Sequence, residues 1–150
     1  MPEHIALERV ESTLNELIGI LHGNHDGFME LGHRLRDNRV KRLFLEETQA
    51  RAEYAAELEN ELHRMGVHDV KTGTSLAAKA SHLWGESQAS LEGGQKALLS
   101  AAEKDDDVAI ETYESALKEE LPLPLRELLR QQLKHIRISQ DEIRALHYLD

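Results

Sequence analysis

Four long segments of the chain carry apolar residues at every third or fourth position, which is the spacing of one face of an α-helix. The pattern predicts an all-α fold with helices over residues 3–35, 39–65, 95–120 and 124–149. A short polar turn at Asp37-Asn38 makes the first two helices an antiparallel hairpin, and two prolines at 122 and 124 separate the last two. The 150 residues fit a single domain, 1–150.

Residues 67–94 differ from the four long segments, because their apolar pattern supports only a short helix around Trp84. Helices of about 25 residues are about 37 Å long, and this connection has enough residues to travel that length. We therefore expect a long crossover that carries a short helix along the outside of the bundle, with Trp84 partly buried. Two antiparallel helical hairpins joined by one long crossover are typical of a ferritin-like four-helix bundle.

Each of the four apolar faces is interrupted by one polar residue, and the interruptions fall at one height of the predicted bundle. They are His25, Glu47, Asp106 and Gln140. A buried polar group without a partner costs roughly 1–3 kcal/mol, so four at one height predict a site, and we take them as candidate metal ligands. Because helix ends read from sequence shift by a few residues, the neighbouring polar residues are reserve members of this layer. The reserves are His22, Asn24, Asp26, Glu46, Gln49 and Asp141.

Three interpretations of the layer stay open at this point. A di-iron site takes a Glu-x-x-His pair from each of two helices, but Ala50 follows Glu47 at the position of the histidine and Arg137 precedes Gln140 at the position of the glutamate. The layer is then a buried hydrogen-bonded network neutralised by Arg51 or Arg137, a site for one divalent ion (iron, manganese or zinc), or a di-metal centre. No catalytic residue and no certain cofactor follows from the pattern.

Composition restricts the partners. The formal net charge is −10, which argues against a nucleic-acid-binding face and against binding to an anionic membrane surface. No apolar run reaches the roughly 20 residues that span a bilayer, and the first residues do not resemble a signal peptide, so we expect a cytoplasmic protein. The lack of cysteine excludes thiolate chemistry. A homodimer is left open, with the glycines of the first helix as its contact, and a protein partner stays unknown.

Four fragments give the sequence a family resemblance. They are Leu14-Asn15-Glu16-Leu17-Ile18, Asp26-Gly27-Phe28, the segment from Arg51 to Leu58, and Tyr113-Glu114-Ser115-Ala116-Leu117. In this order they resemble an uncharacterised bacterial family of ferritin-like four-helix-bundle proteins with a domain of unknown function. The resemblance implies a bundle of the rubrerythrin or ferritin type and a bacterial cytosolic setting, but no reaction. We therefore expect a non-catalytic structural or stress-related module; the alternative is a metal-binding oxidoreductase of the di-iron type with altered ligands.

Overall fold

The computed structural model describes residues 6–67 and 94–147, and these form four α-helices. In chain order they are α1 (Leu7–Arg34), α2 (Asn38–Arg64), α3 (Gln95–Leu117) and α4 (Leu123–His147). The all-α prediction is confirmed for this part of the chain, and the helix ends agree with the sequence pattern to within a few residues. The predicted short helix of the crossover and the burial of Trp84 concern residues outside the described ranges.

The turn between α1 and α2 is short because Asp37 caps α2. One carboxylate oxygen of Asp37 accepts hydrogen bonds from the backbone N–H groups of Arg39 at 2.9 Å and Val40 at 3.3 Å. These are two of the first N–H groups of α2, which have no partner inside the helix. The cap fixes the start of α2 directly after α1 ends.

The end of α3 is closed by an arginine from the next helix. The guanidinium of Arg126 donates to the backbone oxygens of Leu117 and Glu119, both at 2.6 Å. These carbonyl groups lie at the helix C-terminus, where no helical N–H reaches them and a positive charge is favourable. The predicted third helix, 95–120, therefore ends three residues early at Leu117, and a short connection leads into α4.

The four helices form a ring in which α1 packs on α2 and α3, and α4 packs on α2 and α3. At one end of the bundle, Gln95 at the start of α3 lines the same cavity as Asp37 and Val40 at the start of α2. At the other end, Val67 just after α2 packs in an apolar cluster with Val10 and Leu121. The start of α3 therefore lies at the opposite end of the bundle from the end of α2.

The core consists of two apolar clusters with polar residues between them. One cluster reaches the polar residues at Leu21, Ala55, Ala109 and Ile136 and extends to the end of the bundle where α2 stops. The other begins at Phe28, Phe44, Ala102 and Ile143 and extends to the turn between α1 and α2. Between these limits the buried side chains are polar on every helix: Asn24, Glu47, Thr48, Arg51, Asp105, Asp106, Ser139 and Gln140. The interruption that the sequence pattern predicts is therefore a layer of the folded core.

The glycines of α1 are internal. Gly19, Gly23, Gly27 and Gly32 are all buried within the single chain. A Cβ atom at Gly32 would lie 3.5 Å from Cβ of Phe44, so this glycine faces α2. From the sequence we predict these glycines as the contact of a homodimer, but their burial leaves no exposed glycine surface there for a second copy. Whether the protein forms a homodimer stays a prediction.

None of the described helices combines the length and the apolar character that crossing a membrane requires.

We expect Asp37→Ala to lower the free energy of unfolding by about 1 kcal/mol, because two N–H groups at the start of α2 lose their acceptor. Urea denaturation followed by circular dichroism measures the change. The matched control is Asp26→Ala, which removes an aspartate that is 79% exposed in the middle of α1. Equal losses in the two variants would contradict a capping role for Asp37.

Candidate functional site

The guanidinium of Arg51 is the centre of the polar layer. It is fully buried on α2, where Nη1 donates to Asn24 Oδ1 at 2.7 Å and to Asp106 Oδ1 at 2.9 Å, and Nη2 donates to Glu47 Oε1 at 3.0 Å. Its Cζ atom lies 4.9 Å from the centre of the Phe28 ring, a cation–π contact. One side chain thus connects α1, α2 and α3 through charge-assisted hydrogen bonds.

A second set of contacts surrounds this centre and includes α4. We call the centre and this second set together the arginine cluster. Asn24 Nδ2 donates to Asp105 Oδ2 at 2.7 Å. The second oxygen of Glu47, Oε2, lies 2.8 Å from His135 Nε2, and the His135 ring meets the ring of Tyr54 edge-on at 5.6 Å. The side chain of His135 is 42% exposed, whereas those of Glu47 and Arg51 are 5% and 0% exposed. His135 is therefore the point at which the cluster meets solvent.

The charges at the centre do not balance when both carboxylates that accept from Arg51 are ionised. Glu47 and Asp106 then carry two negative charges against the single positive charge of Arg51. Burial raises the pKa of Asp106 to about 6, although the charge and hydrogen bond of Arg51 oppose the rise. The charges of Glu47 and Asp107 add to the rise of this pKa, and the second oxygen of Asp106, Oδ2, receives no hydrogen bond from any described residue. Burial lowers the pKa of Arg51, but Asp106 and Glu47 outweigh it and raise the pKa above its usual value.

Polar contacts between α2, α3 and α4 continue from the cluster toward the end of the bundle where α2 stops. The hydroxyl of Tyr113 donates to Gln132 Oε1 at 2.6 Å, and Gln132 Nε2 donates to Glu57 Oε1 at 3.0 Å. Burial raises the pKa of Tyr113 far above its usual range, and burial together with the charge of Glu47 raises the pKa of Tyr54 to about 12. Both phenols keep their protons at neutral pH, so Tyr113 acts as a hydrogen-bond donor.

Two of the four predicted site residues meet at the centre and two do not. Glu47 and Asp106 bind the same guanidinium. His25 is partly exposed, and its Nδ1 atom contacts Asp26 Oδ1 at 3.0 Å. Gln140 is buried, but its amide donates to Asp107 Oδ1 at 2.7 Å and to the backbone oxygen of Glu103 at 3.1 Å, beside α3 and away from Arg51.

Among the reserve residues only Asn24 joins the centre. The others lie on the surface or on the edge of the bundle: His22 contacts Glu59, Gln49 donates to Glu53, and Asp26, Glu46 and Asp141 are exposed. Of the two arginines proposed to neutralise the carboxylates, Arg51 does so, while Arg137 pairs with Glu114 on the surface.

The apolar periodicity of the sequence indicates that Asn24 is buried, but it gives a weaker indication for His135. On α1, the positions Leu14, Leu17, Leu21, Asn24 and Phe28 alternate strictly between steps of three and four, whereas His25 breaks the alternation. A one-residue shift turns a helical side chain by about 100°, which explains why His25 points away. His135 directly precedes the buried Ile136 on the edge of the apolar face, and only the placement of α2 identifies its partner.

The contacts of Glu47 and Asp106 bear on whether the layer could hold a metal ion. Within residues 6–67 and 94–147, no three histidine, aspartate or glutamate side chains are grouped so that they could hold one. The carboxylates of Glu47 and Asp106 already share a cation, since the guanidinium of Arg51 lies between them. A divalent ion in contact with both carboxylates would have to displace a fully buried arginine.

The raised pKa of Asp106 predicts a dependence of stability on pH. Between about pH 4 and 6 the unfolded chain loses the Asp106 proton while the folded protein keeps it, so stability falls as pH rises through this window, by at most about 3 kcal/mol. Because other groups titrate in the same range, the measured quantity is the difference in unfolding free energy between the native protein and Asp106→Asn. We expect the unfolding free energy of the native protein, relative to that of Asp106→Asn, to fall from pH 4 to pH 6.5. Asp141→Asn, at a side chain 74% exposed, is the control; the same trend there would contradict the assignment to Asp106.

Comparison with proteins of curated function finds none that matches this chain. A family model matches residues 9–119, which include α1 from Arg9 onward, all of α2 and α3, and the arginine cluster except for His135. This match covers more than half of the chain, and the protein therefore belongs to the family described as a domain of unknown function (DUF2383).

Proposed function

We propose that the protein is a non-catalytic structural or stress-related module whose polar core fixes the arrangement of its helices. The observation that carries the proposal is the position of Arg51, whose guanidinium donates a hydrogen bond to one oxygen of each of Asn24, Glu47 and Asp106. Buried polar groups that are paired in only one arrangement favour that arrangement over alternatives. A permanent side-chain cation performs this role without a cofactor.

The ferritin-like arrangement belongs to the same proposal. Its support is that α3 begins at the end of the bundle where α2 begins, opposite to the end where α2 stops. A connection between such points has to run the length of the bundle, as the crossover of a ferritin-like fold does. The bacterial cytoplasmic setting rests on the family resemblance of the sequence.

The second candidate is a metal-binding oxidoreductase with altered ligands, and one contact favours it. Glu47 Oε2 and His135 Nε2 lie 2.8 Å apart at the edge of the cluster that meets solvent, and carboxylate and imidazole are common ligands of iron, manganese and zinc. Two protein ligands are too few for a tightly held ion, so the first candidate is the better supported.

The structural role predicts a specific pattern in a set of variants. Arg51→Met leaves two carboxylates buried without a counter-charge, and we expect it to lower the free energy of unfolding by about 3–5 kcal/mol. Adding Glu47→Gln and Asp106→Asn to Arg51→Met removes the uncompensated charges and should restore most of the loss. The pair Glu47→Gln and Asp106→Asn with Arg51 retained is the matched control, because it buries an unpaired cation and should also be destabilised. A triple variant no more stable than Arg51→Met would contradict the proposal.

Metal content separates the two candidates. We expect protein purified without chelator to contain far less than one equivalent of iron, manganese or zinc per chain, as measured by inductively coupled plasma mass spectrometry. Supplying each metal during growth should not change the result. A content near one or two ions per chain that falls in Glu47→Gln and His135→Ala, but not in a variant of the exposed His33, would establish the oxidoreductase candidate instead.

A further inference from the structure

The outer surface between α3 and α4 contains an open cavity of about 730 Å³. Its apolar walls are Leu117 from α3 and Leu133 and Ile138 from α4. Ile138 is 48% exposed and is one of five large apolar side chains that are exposed within residues 6–67 and 94–147. The volume is in the range of small-molecule sites, which are typically about 300–1,000 Å³.

The charged side chains that line this cavity carry a net positive charge. Four cations line it, Lys118, Arg130, Lys134 and Arg137, together with two acids, Glu114 and Asp141. Both acids have cationic neighbours, since Glu114 pairs with Arg137 at 2.5 Å and Asp141 lies 3.6 Å from Arg144. Arg130 pairs with Glu127 at 2.9 Å. Lys118 and Lys134 have no ion-pair partner among the residues that the structure describes.

The two lysines lie at the same height on opposite sides of the cavity. Arg137 on α4 contacts Glu114 on α3, and the two helices run antiparallel. Lys118, one turn after Glu114, therefore comes level with Leu133 and Lys134, one turn before Arg137. The ammonium groups of these two lysines thus flank an apolar surface, on a chain whose net charge is −10.

We propose that this cavity binds a single-chain amphipathic anion, a carboxylate or phosphate monoester on an alkyl chain. The anionic head lies between Lys118 and Lys134, and the alkyl chain covers Leu117, Leu133 and Ile138. The head group gains two charge contacts, and the chain removes the exposed part of Ile138 from water. The excess of acidic groups elsewhere on the molecule disfavours the same anion outside the cavity. This site lies apart from the arginine cluster and does not depend on the function proposed for it.

The probe is dodecanoate below its critical micelle concentration, titrated into the full chain by isothermal titration calorimetry. We expect one site per chain, weakened by added sodium chloride. Lys118→Glu combined with Lys134→Glu should weaken binding about ten-fold or more, because two attractive charges become repulsive. Ile138→Ser should weaken it without changing the salt dependence. The matched control is Lys104→Glu, an exposed lysine of α3 outside the cavity, which should bind like the native protein.

Three results would overturn the proposal. Dodecanol bound as tightly as dodecanoate would remove the role of the lysines. Equal loss of binding in Lys104→Glu would show that only net charge matters. Binding to vesicles of anionic phospholipid without binding to monomeric dodecanoate would identify a bilayer contact instead. Circular dichroism of every variant verifies that a loss of binding is not a loss of fold.

Discussion

The pairing of one buried guanidinium with two carboxylates is the constraint on which the rest of the structure depends. Arg51 is inaccessible to water, so its stability in the core requires acceptors from α1, α2 and α3 at fixed distances. These acceptors are available only when Asn24, Glu47 and Asp106 lie at one height. Apolar contacts, which hold together the clusters on either side of the layer, are non-directional, whereas the hydrogen bonds of Arg51 require fixed positions of their acceptors. This is the physical ground for our proposal that the polar layer sets the register of helices whose cohesion comes mainly from the apolar clusters.

The imbalance of charge around Arg51 bears on one contact between α2 and α4. With one cation for two carboxylates, the cluster needs either a proton on Asp106, whose pKa burial raises to about 6, or a further donor for Glu47. His135 supplies that donor from α4 and is itself open to solvent. Polar and aromatic contacts thus join α2 and α4, with Tyr54 against His135 and Gln132 bonded to Glu57, in addition to the apolar clusters to which both helices contribute. Between α1 and α2, the edge-on pair Phe28–Phe44 is an apolar contact.

Periodicity predicted the elements and the polar layer because both depend on which face of a helix is buried. Glu47 and Asp106 interrupt faces that are otherwise apolar, and both are buried. On α1 the strict alternation of steps of three and four favours Asn24, but His25 also lies within a turn of Leu21 and Phe28, and spacing to these two neighbours alone led to the prediction of His25. Periodicity could not identify Arg51 as the centre, because an arginine three residues before Tyr54 and four after Glu47 fits a surface as well as a core. His135 required tertiary placement, since its partner lies 88 residues earlier.

A guanidinium and a metal ion meet the same requirement for positive charge among buried oxygens, but they differ in what they permit. A metal ion can leave, exchange ligands and change oxidation state, and its open coordination positions admit substrate. The guanidinium of Arg51 is covalently part of α2, keeps its charge at all physiological pH values and offers donors in one plane only. It therefore holds Glu47 and Asp106 in place but gives them nothing to activate. The same property therefore supports the structural role that we propose for the core, and binding is better sought on the surface, where His135 and the lysines between α3 and α4 are accessible.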